Sequence, residues 1–174
     1  MTELWRLSAT ELADAIATRA VSSRDVIQAH LARIAEVNTE AKAITAVLAD
    51  DALAAAELAD AAVAAGEELG SFHGVPITVK ENIDLVGSAS THGIEALQLA
   101  VPDVDAPIVE RRKAAGAIPI GRTNMPELGL RVTTEGPLHG TTPNPWDASL
   151  PAGGSSGGEA VAQSLGMSPF GRGN

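Results

Sequence analysis

Two adjacent serines between paired glycines form the feature that most restricts how this chain can fold. The run Gly153-Gly154-Ser155-Ser156-Gly157-Gly158 places four glycines around two hydroxyl groups. Glycine accepts positive φ angles and allows close approach of backbone or ligand, so the run predicts a tightly folded loop that presents both serines. A flexible Gly/Ser linker is the alternative for this composition. The position of the run just after Pro145-Trp146, between patterned segments, favours the folded loop.

The residues that follow the serine loop are compatible with a helix over 159–165. The unpaired N–H groups at a helix N-terminus favour developing negative charge, so the loop is a suitable place for acyl-transfer chemistry. A phosphate-binding loop fits less well, because that motif needs Lys and then Ser or Thr directly after its last glycine. Glu159 and Ala160 stand at those two positions.

Composition and charge exclude several classes of protein. A chain of 174 residues with 45% hydrophobic content is long enough for one domain with its own core. Its net charge of −10, from 12 basic and 22 acidic residues, argues against direct binding of nucleic acid or anionic membranes. The absence of cysteine excludes disulfides, thiolate metal sites and a cysteine nucleophile. Without a membrane-length apolar segment or a signal-peptide pattern, we expect a cytoplasmic protein.

Helix signals dominate the first 40 residues. Ser8 and Glu11 have capping-box spacing before one amphipathic segment, and a second helix start is predicted at Ser22 or Ser23. These segments predict a helical hairpin. His30, which lies beside the apolar stripe of the second helix, is expected to be a boundary residue because no other ligand stands at metal-binding spacing.

Strands and helices alternate over residues 41–174, which predicts an α/β fold. Strands are expected at 43–48, 73–80 and 117–121, with another beginning near residue 167. Helices are expected between them, one from Asp50 or Asp51 to Gly66 or Gly70, and one capped by Asp105. A proline-rich coil over 137–151 leads to the serine loop, and such irregular stretches are often functional. His92 and His139 are assigned no chemistry.

Lys80 is the second residue of chemical interest. It closes the apolar strand predicted at 73–80, and a lysine at that position is often a solvated strand terminus. If it is buried instead, loss of hydration disfavours the ammonium form and lowers its pKa. A neutral amine is then available as a proton acceptor. The residues alone leave both interpretations open.

Four blocks of this sequence, taken in order, resemble the amidase signature family. They are residues 74–84, 115–127, 144–146 and 153–158. The resemblance implies a mixed β-sheet flanked by helices, with the N-terminal helical hairpin at 1–40 and the α/β part at 41–174. Residues 1–174 would be the N-terminal portion of a single amidase-signature domain, incomplete at its C-terminal end.

The resemblance also implies a Ser–cis-Ser–Lys amide hydrolase that acts on a small linear amide without a metal ion or cofactor. Lys80 would be the buried base. Ser155, preceded by a cis peptide bond, would be the bridging residue between that base and a nucleophilic serine. The remaining residues of the run would support the loop, and they are Gly153, Gly154, Ser156, Gly157 and Gly158.

One departure from the family pattern concerns the nucleophile. In the family it lies in an Asp-x-Gly-Gly-Ser segment, which residues 1–174 do not contain, and Ser164 and Ser168 are not in glycine elbows. We therefore expect a truncated amidase that is inactive alone. Its uncovered sheet edges are expected to cause poor solubility or association, such as a homo-oligomer. The alternatives are the amidase-like glutaminase subunit of a tRNA-dependent amidotransferase, and a non-catalytic remnant.

Overall fold

The two N-terminal helices form the hairpin that the sequence predicts. In the computed structural model, which describes residues 3–174, α1 spans Ala9–Ala17 and α2 spans Ser23–Ala41. Ser8 and Ser22 begin these helices with complete capping boxes. Each serine side chain accepts a backbone N–H three residues later, and the carboxylate there accepts the serine N–H.

The main sheet is mixed and contains four strands, β1 (Ile44–Val47), β2 (Pro76–Lys80), β3 (Ile118–Thr123) and β6 (Gly171–Arg172). Their order across the sheet is β1-β3-β2-β6. Strand β3 lies parallel to β2 and antiparallel to β1, and β6 adds to β2 in parallel. The sheet confirms the predicted α/β class, although its last strand begins later than the expected residue 167. A separate two-stranded hairpin consists of β4 (Glu135–Gly136) and β5 (Gly140–Thr141).

Three further helices pack on the sheet, namely α3 (Ala49–Ala65), α4 (Pro107–Ala114) and α5 (Gly157–Ser164). One buried cluster joins α2, α3 and α5 to one face of the sheet, and includes Ile34, Ala56, Ile120 and Val161. A second cluster covers the other face and includes Ile77, Val79 and Val109. Because β2 lies between β3 and β6 and is covered on both faces, its side chains are removed from water.

The edges of the described sheet are β1 and β6. Association through these edges stays a prediction. Three short 3-10 turns complete the structure, at Leu4–Arg6, Glu95–Leu97 and Glu127–Gly129. No helix within residues 3–174 has both the length and the apolar character that crossing a membrane requires.

The start of α4 differs from the sequence prediction. Asp105 was expected to be its N-cap, but the N-cap is Ala106, which makes no capping hydrogen bond through its side chain. The Asp105 carboxylate accepts instead from Val86 N–H at 2.7 Å and from the Lys113 ammonium at 2.7 Å. Asp105 therefore holds the preceding loop to the helix, a role that depends on contacts distant in sequence.

The start of α3 also differs. Its N-cap is Leu48, whereas Asp50 and Asp51, expected as caps, lie within the first turn. Carboxylates in that turn still interact favourably with the positive end of the helix dipole. The helix ends at Gly66 in the left-handed conformation, one of the two predicted ends.

A contact between Gly166 and Trp5 fastens the end of α5 to the start of the chain. Gly166 has a φ of +72°, and a Cβ added to it would overlap the Trp5 ring. The guanidinium groups of Arg6 and Arg33 lie 4.3 and 4.2 Å from the centre of that ring. Arg33 Nε also donates to Leu165 O at 2.7 Å, so this arginine is held beside the ring.

We expect Gly166→Ala to lower the free energy of unfolding by roughly 2–4 kcal/mol, since positive φ and the displaced ring both oppose the methyl group. Gly66→Ala is the matched control. Gly66 has a φ of +73°, but no heavy atom lies within 4 Å of an added Cβ. That variant isolates the backbone effect, about 1 kcal/mol. Equal losses for the two variants in urea denaturation would show that the Trp5 contact contributes nothing.

Candidate active site

Lys80 ends the inner strand β2 and is completely buried. Every position of β2 is buried, and the Lys80 side chain is 0% exposed. The solvated strand terminus, one of the two interpretations of the sequence, is therefore wrong. Burial lowers the pKa of the Lys80 amine from its ordinary value of 10.5, and the negative charge of Glu159 partly opposes that effect. The site thus favours the neutral amine more than water does.

The run of glycines and serines is a fixed loop. Thr134 Oγ1 donates to Gly153 O at 2.9 Å and accepts from Gly157 N–H at 3.0 Å, so one threonine joins the two ends of the loop. The peptide bond between Gly154 and Ser155 is cis. These contacts exclude the flexible linker that the composition alone allowed.

The first two glycines of the run are favoured for different reasons, the backbone conformation at Gly153 and the lack of space at Gly154. Gly153 has a φ of +85°, which L-residues rarely adopt. A Cβ on Gly154 would lie 2.8 Å from Arg131 O and 2.9 Å from Thr133 N. The loop is therefore packed against the backbone of residues 131–133.

The last two glycines belong to α5 and not to the loop. The sequence predicted a helix from Glu159, but α5 begins at Gly157. A Cβ on Gly158 would lie 2.5 Å from Asn124 N and 2.9 Å from Ala43 O, so close approach to β-strand ends requires glycine inside the first turn. Consequently the N-terminus of α5 directly follows the two serines.

The structure brings Lys80 and both serines together. Lys80 Nζ lies 2.8 Å from Ser155 Oγ, 2.9 Å from Ser156 Oγ and 2.7 Å from Asn174 Oδ1. All three distances are those of ordinary hydrogen bonds. The amine on β2 and the loop before α5 thus form one polar cluster, although 75 residues separate Lys80 from Ser155 in sequence.

The hydrogen-bond partners distinguish the two serines. Ser156 Oγ donates to Asn174 O at 2.8 Å, so its proton is engaged. A neutral Lys80 amine has two N–H donors and one lone pair. The ammonium form of Lys80 donates to all three oxygens, whereas a neutral amine that donates to Ser156 Oγ and Asn174 Oδ1 can accept the hydroxyl proton of Ser155 with its lone pair. Within residues 3–174, Lys80 Nζ is the sole hydrogen-bond partner of Ser155 Oγ.

Sequence analysis missed several residues of this cluster. Thr134 joins the loop ends, Asn174 accepts from Lys80, and Glu159 lies buried beside the site. Their chain neighbours give no pattern that marks them, since each acts through a contact made by folding. Over the described part of the chain, no three or more His, Asp and Glu side chains are grouped so as to hold a metal ion.

Comparison with known proteins gives a consistent family assignment. The sequence model of one family, Amidase, matches residues 25–174. Indoleacetamide hydrolase of Bradyrhizobium diazoefficiens is 44% identical over 171 residues, which are 98% of this chain and 33% of that protein. A glutamyl-tRNA(Gln) amidotransferase subunit of Acidothermus cellulolyticus is 44% identical over 162 residues, 93% of this chain and 32% of that protein.

Solved structures of the same family have the same fold over nearly the whole of this chain. The peptide amidase from Stenotrophomonas maltophilia superposes with a TM-score of 0.89 at 30% identity, covering 94% of this chain and 35% of that one. The chain therefore spans about a third of the length of the relatives that it matches. Its sheet and helices correspond to the matching third of those structures.

Proposed function

This chain belongs to the amidase signature family, and we propose that it carries the base and the bridging hydroxyl of an enzyme that hydrolyses a linear carboxylic amide. The observation that carries the proposal is the completely buried Lys80 amine 2.8 Å from Ser155 Oγ. No cofactor takes part in the proposed reaction. Lys80 and Ser155 are the two catalytic residues.

The proposed reaction is a proton relay. Neutral Lys80 accepts the Ser155 proton while Ser155 Oγ accepts the proton of a nucleophilic serine, whose oxygen attacks the amide carbonyl. When the C–N bond breaks, the relay runs in reverse and the proton reaches the leaving nitrogen. Water then hydrolyses the acyl-enzyme through the same relay. Each turnover therefore returns Lys80 to its neutral form.

The nucleophile is proposed to come from outside residues 1–174. Within residues 3–174 no hydroxyl group forms a hydrogen bond with Ser155 Oγ, and Ser156, the nearest hydroxyl in sequence, already donates its proton to Asn174 O. A relay needs such a contact at its third member. Residues 1–174 alone are therefore proposed to be inactive.

An arylacetic amide is the proposed substrate class. Indoleacetamide hydrolase, by its name, acts on such an amide, and its match covers 98% of this chain. A second candidate is a glutaminase subunit, because several glutamyl-tRNA(Gln) amidotransferase subunits are 37–44% identical to this chain. The net charge of −10 disfavours direct contact with tRNA, although another protein of that assembly would supply it.

A chimera tests the proposal directly. Residues 1–174 replace the matching third of the Bradyrhizobium indoleacetamide hydrolase, and hydrolysis of indoleacetamide is measured. We call this protein the hydrolase chimera. We expect turnover by the hydrolase chimera and none by residues 1–174 alone. Turnover by the isolated chain would place a nucleophile inside it, and a folded chimera without turnover would contradict the proposed roles.

The same exchange into the Acidothermus amidotransferase protein separates the two candidate substrates. That chimera is assayed for ammonia release from glutamine, with and without its partner subunits. We expect the hydrolase chimera to retain the larger fraction of its host's activity. The reverse result, with ammonia release dependent on the partner subunits, would favour the glutaminase.

A further inference from the structure

A buried carboxylate lies behind the two proposed catalytic residues. Glu159 is in the first turn of α5 and is 4% exposed. Its Oε1 accepts from Thr78 Oγ1 at 2.6 Å and from Gln163 Nε2 at 3.1 Å, and its Oε2 accepts from Thr123 Oγ1 at 3.0 Å. Three elements, β2, β3 and α5, therefore converge on one side chain.

The charge of Glu159 is not explained by these contacts. All three donors are neutral, and no lysine, arginine or histidine in the described residues forms an ion pair with Glu159. Removing a carboxylate from water is unfavourable unless an opposite charge compensates. The N-terminus of α5 presents only partial positive charge to it. The hydrogen bonds satisfy the carboxylate oxygens, but neither they nor the helix dipole supply a full positive charge.

Lys80 is the ionisable group that shares this side of the sheet with Glu159. Thr78 and Lys80 are two residues apart on β2, so their side chains point to the same face. Thr123 pairs with Lys80 on the neighbouring strand β3. A carboxylate held by Thr78 and Thr123 therefore faces the Lys80 side chain, and its charge acts against the effect of burial on the pKa of that amine.

The charged groups on and next to the neighbouring strands lie on the other face of the sheet. Glu81 directly follows β2, and its carboxylate is held by Thr45, Thr91 and His139, away from the Lys80 amine. Arg122 and Arg172 both pair with Val79, so they also belong to that face, and Arg172 is exposed. The N-terminus of α5 presents partial positive charge beside the serines. Glu159 is the charged side chain that acts on the Lys80 amine, where it raises the pKa against the effect of burial.

Strand β6 closes this carboxylate off from solvent. A Cβ added to Gly171 would overlap both Glu159 Oε1 and Thr78 Oγ1, so the strand backbone lies directly over the carboxylate. With water excluded, the interaction between the Glu159 carboxylate and the protonated form of Lys80 is screened less than it would be at the surface.

We propose that Glu159 is a positioning residue for Lys80. Thr78 and Thr123 fix the Glu159 carboxylate so that it faces the Lys80 amine, and its charge keeps that amine a strong proton acceptor directed at Ser155. The inference rests on the proposed function only in taking Lys80 as the base. Burial makes the neutral amine available, and Glu159 prevents burial from making that amine too weak a base. The two opposing effects together keep the pKa of Lys80 low enough for the neutral form and high enough for the amine to accept the Ser155 proton.

Lysine-selective NMR tests the inference on the full 174-residue chain. The sequence contains three lysines, Lys42, Lys80 and Lys113, so [13Cε]lysine labelling gives three signals, which single Lys→Arg variants assign. We expect Glu159→Gln to move the titration midpoint of the Lys80 signal to lower pH. Glu110→Gln removes the same charge from an exposed position on α4 and is expected to leave that midpoint in place.

Two further variants separate charge from structure. Thr78→Val deletes one hydrogen bond but keeps the carboxylate, so we expect a smaller shift than for Glu159→Gln. Glu159→Asp keeps the charge on a shorter side chain, and it replaces Glu159→Gln if that variant does not fold. It is expected to shift the Lys80 midpoint in the same direction by less.

The outcomes distinguish the inference from the proposed function. If Glu159→Gln shifts the Lys80 midpoint no more than Glu110→Gln or Thr78→Val does, Glu159 has only a structural role and the inference is wrong. If the wild-type Lys80 signal titrates in the ordinary range of lysine, the proposed base is lost and the proposed function is contradicted. A lowered wild-type midpoint that Glu159→Gln lowers further supports both.

Discussion

Lys80→Met in the hydrolase chimera is expected to lower kcat by about 10²–10⁴-fold, the usual contribution of a general base. Methionine fills nearly the same volume as lysine but cannot accept the Ser155 proton in the relay. The amine forms no salt bridge in the described residues, so the variant removes three hydrogen bonds and the longer-range interaction with Glu159 but no ion pair. Turnover of indoleacetamide under saturating conditions gives the measurement.

Lys80→Arg separates a proton acceptor from a positive charge. Arginine keeps the charge but remains protonated in proteins, so we expect it to be as inactive as methionine. Lys42→Met, at an exposed position, is the control and should retain activity. Because burial lowers the pKa of Lys80, the wild-type rate should rise with pH through that lowered value. An arginine variant with near wild-type turnover would contradict the role of Lys80 as a base.

The partnership of Lys80 with Ser155 could be predicted only through the family resemblance. Their side chains belong to elements 75 residues apart, and no local pattern relates the end of a strand to a glycine-rich loop. Composition and spacing left the burial of Lys80 open. Its burial depends on α5 and the serine loop, which pack over β2 only in the folded chain.

Helix starts are set by neighbouring residues, so the local sequence predicts them more often than it predicts the active-site contacts. The capping box at Ser8 and the helix start at Ser22, one of the two expected positions, were predicted correctly, because each involves residues within one turn. The expected cap at Asp105 was wrong, since its carboxylate is taken by Val86 N–H and Lys113. A local rule holds where no distant donor competes for the same side chain, and the sequence does not reveal that competition.

Glu159 illustrates why part of the site was missed. Its position was used only to argue against a phosphate-binding loop, because glutamate is rarely buried and a helical glutamate is usually solvent-exposed. His139 was assigned no chemistry, yet its Nε2 lies 3.0 Å from Glu81 Oε2. Both residues have roles that depend on buried partners from other elements, which one sequence cannot identify.

Glu81→Leu is expected to lower the free energy of unfolding by about 2–4 kcal/mol at neutral pH, because the lost acceptor leaves several donors unpaired. Glu81 is 2% exposed. Its carboxylate accepts from Thr45 and Thr91, and it pairs with His139 on the segment between β4 and β5. It therefore joins β1, the loop after β2 and the small hairpin. Urea denaturation measures the loss.

The pH dependence of that loss provides the sharper test. Burial alone would raise the pKa of Glu81, but hydrogen bonds from His139, Thr45 and Thr91 outweigh it and lower the pKa below the ordinary 4.5. A carboxyl group whose pKa is lower in the folded state stabilises the fold above its unfolded pKa. That contribution is lost as pH falls through the folded value. The difference in unfolding free energy between wild type and Glu81→Leu should therefore be largest above pH 4.5 and should become smaller below it.

His139→Ala, which removes one donor and keeps the carboxylate, should lose less stability and retain the acid dependence. A difference between wild type and Glu81→Leu that stays constant through the acid range would show that Glu81 contributes by packing and not as an ionised acceptor.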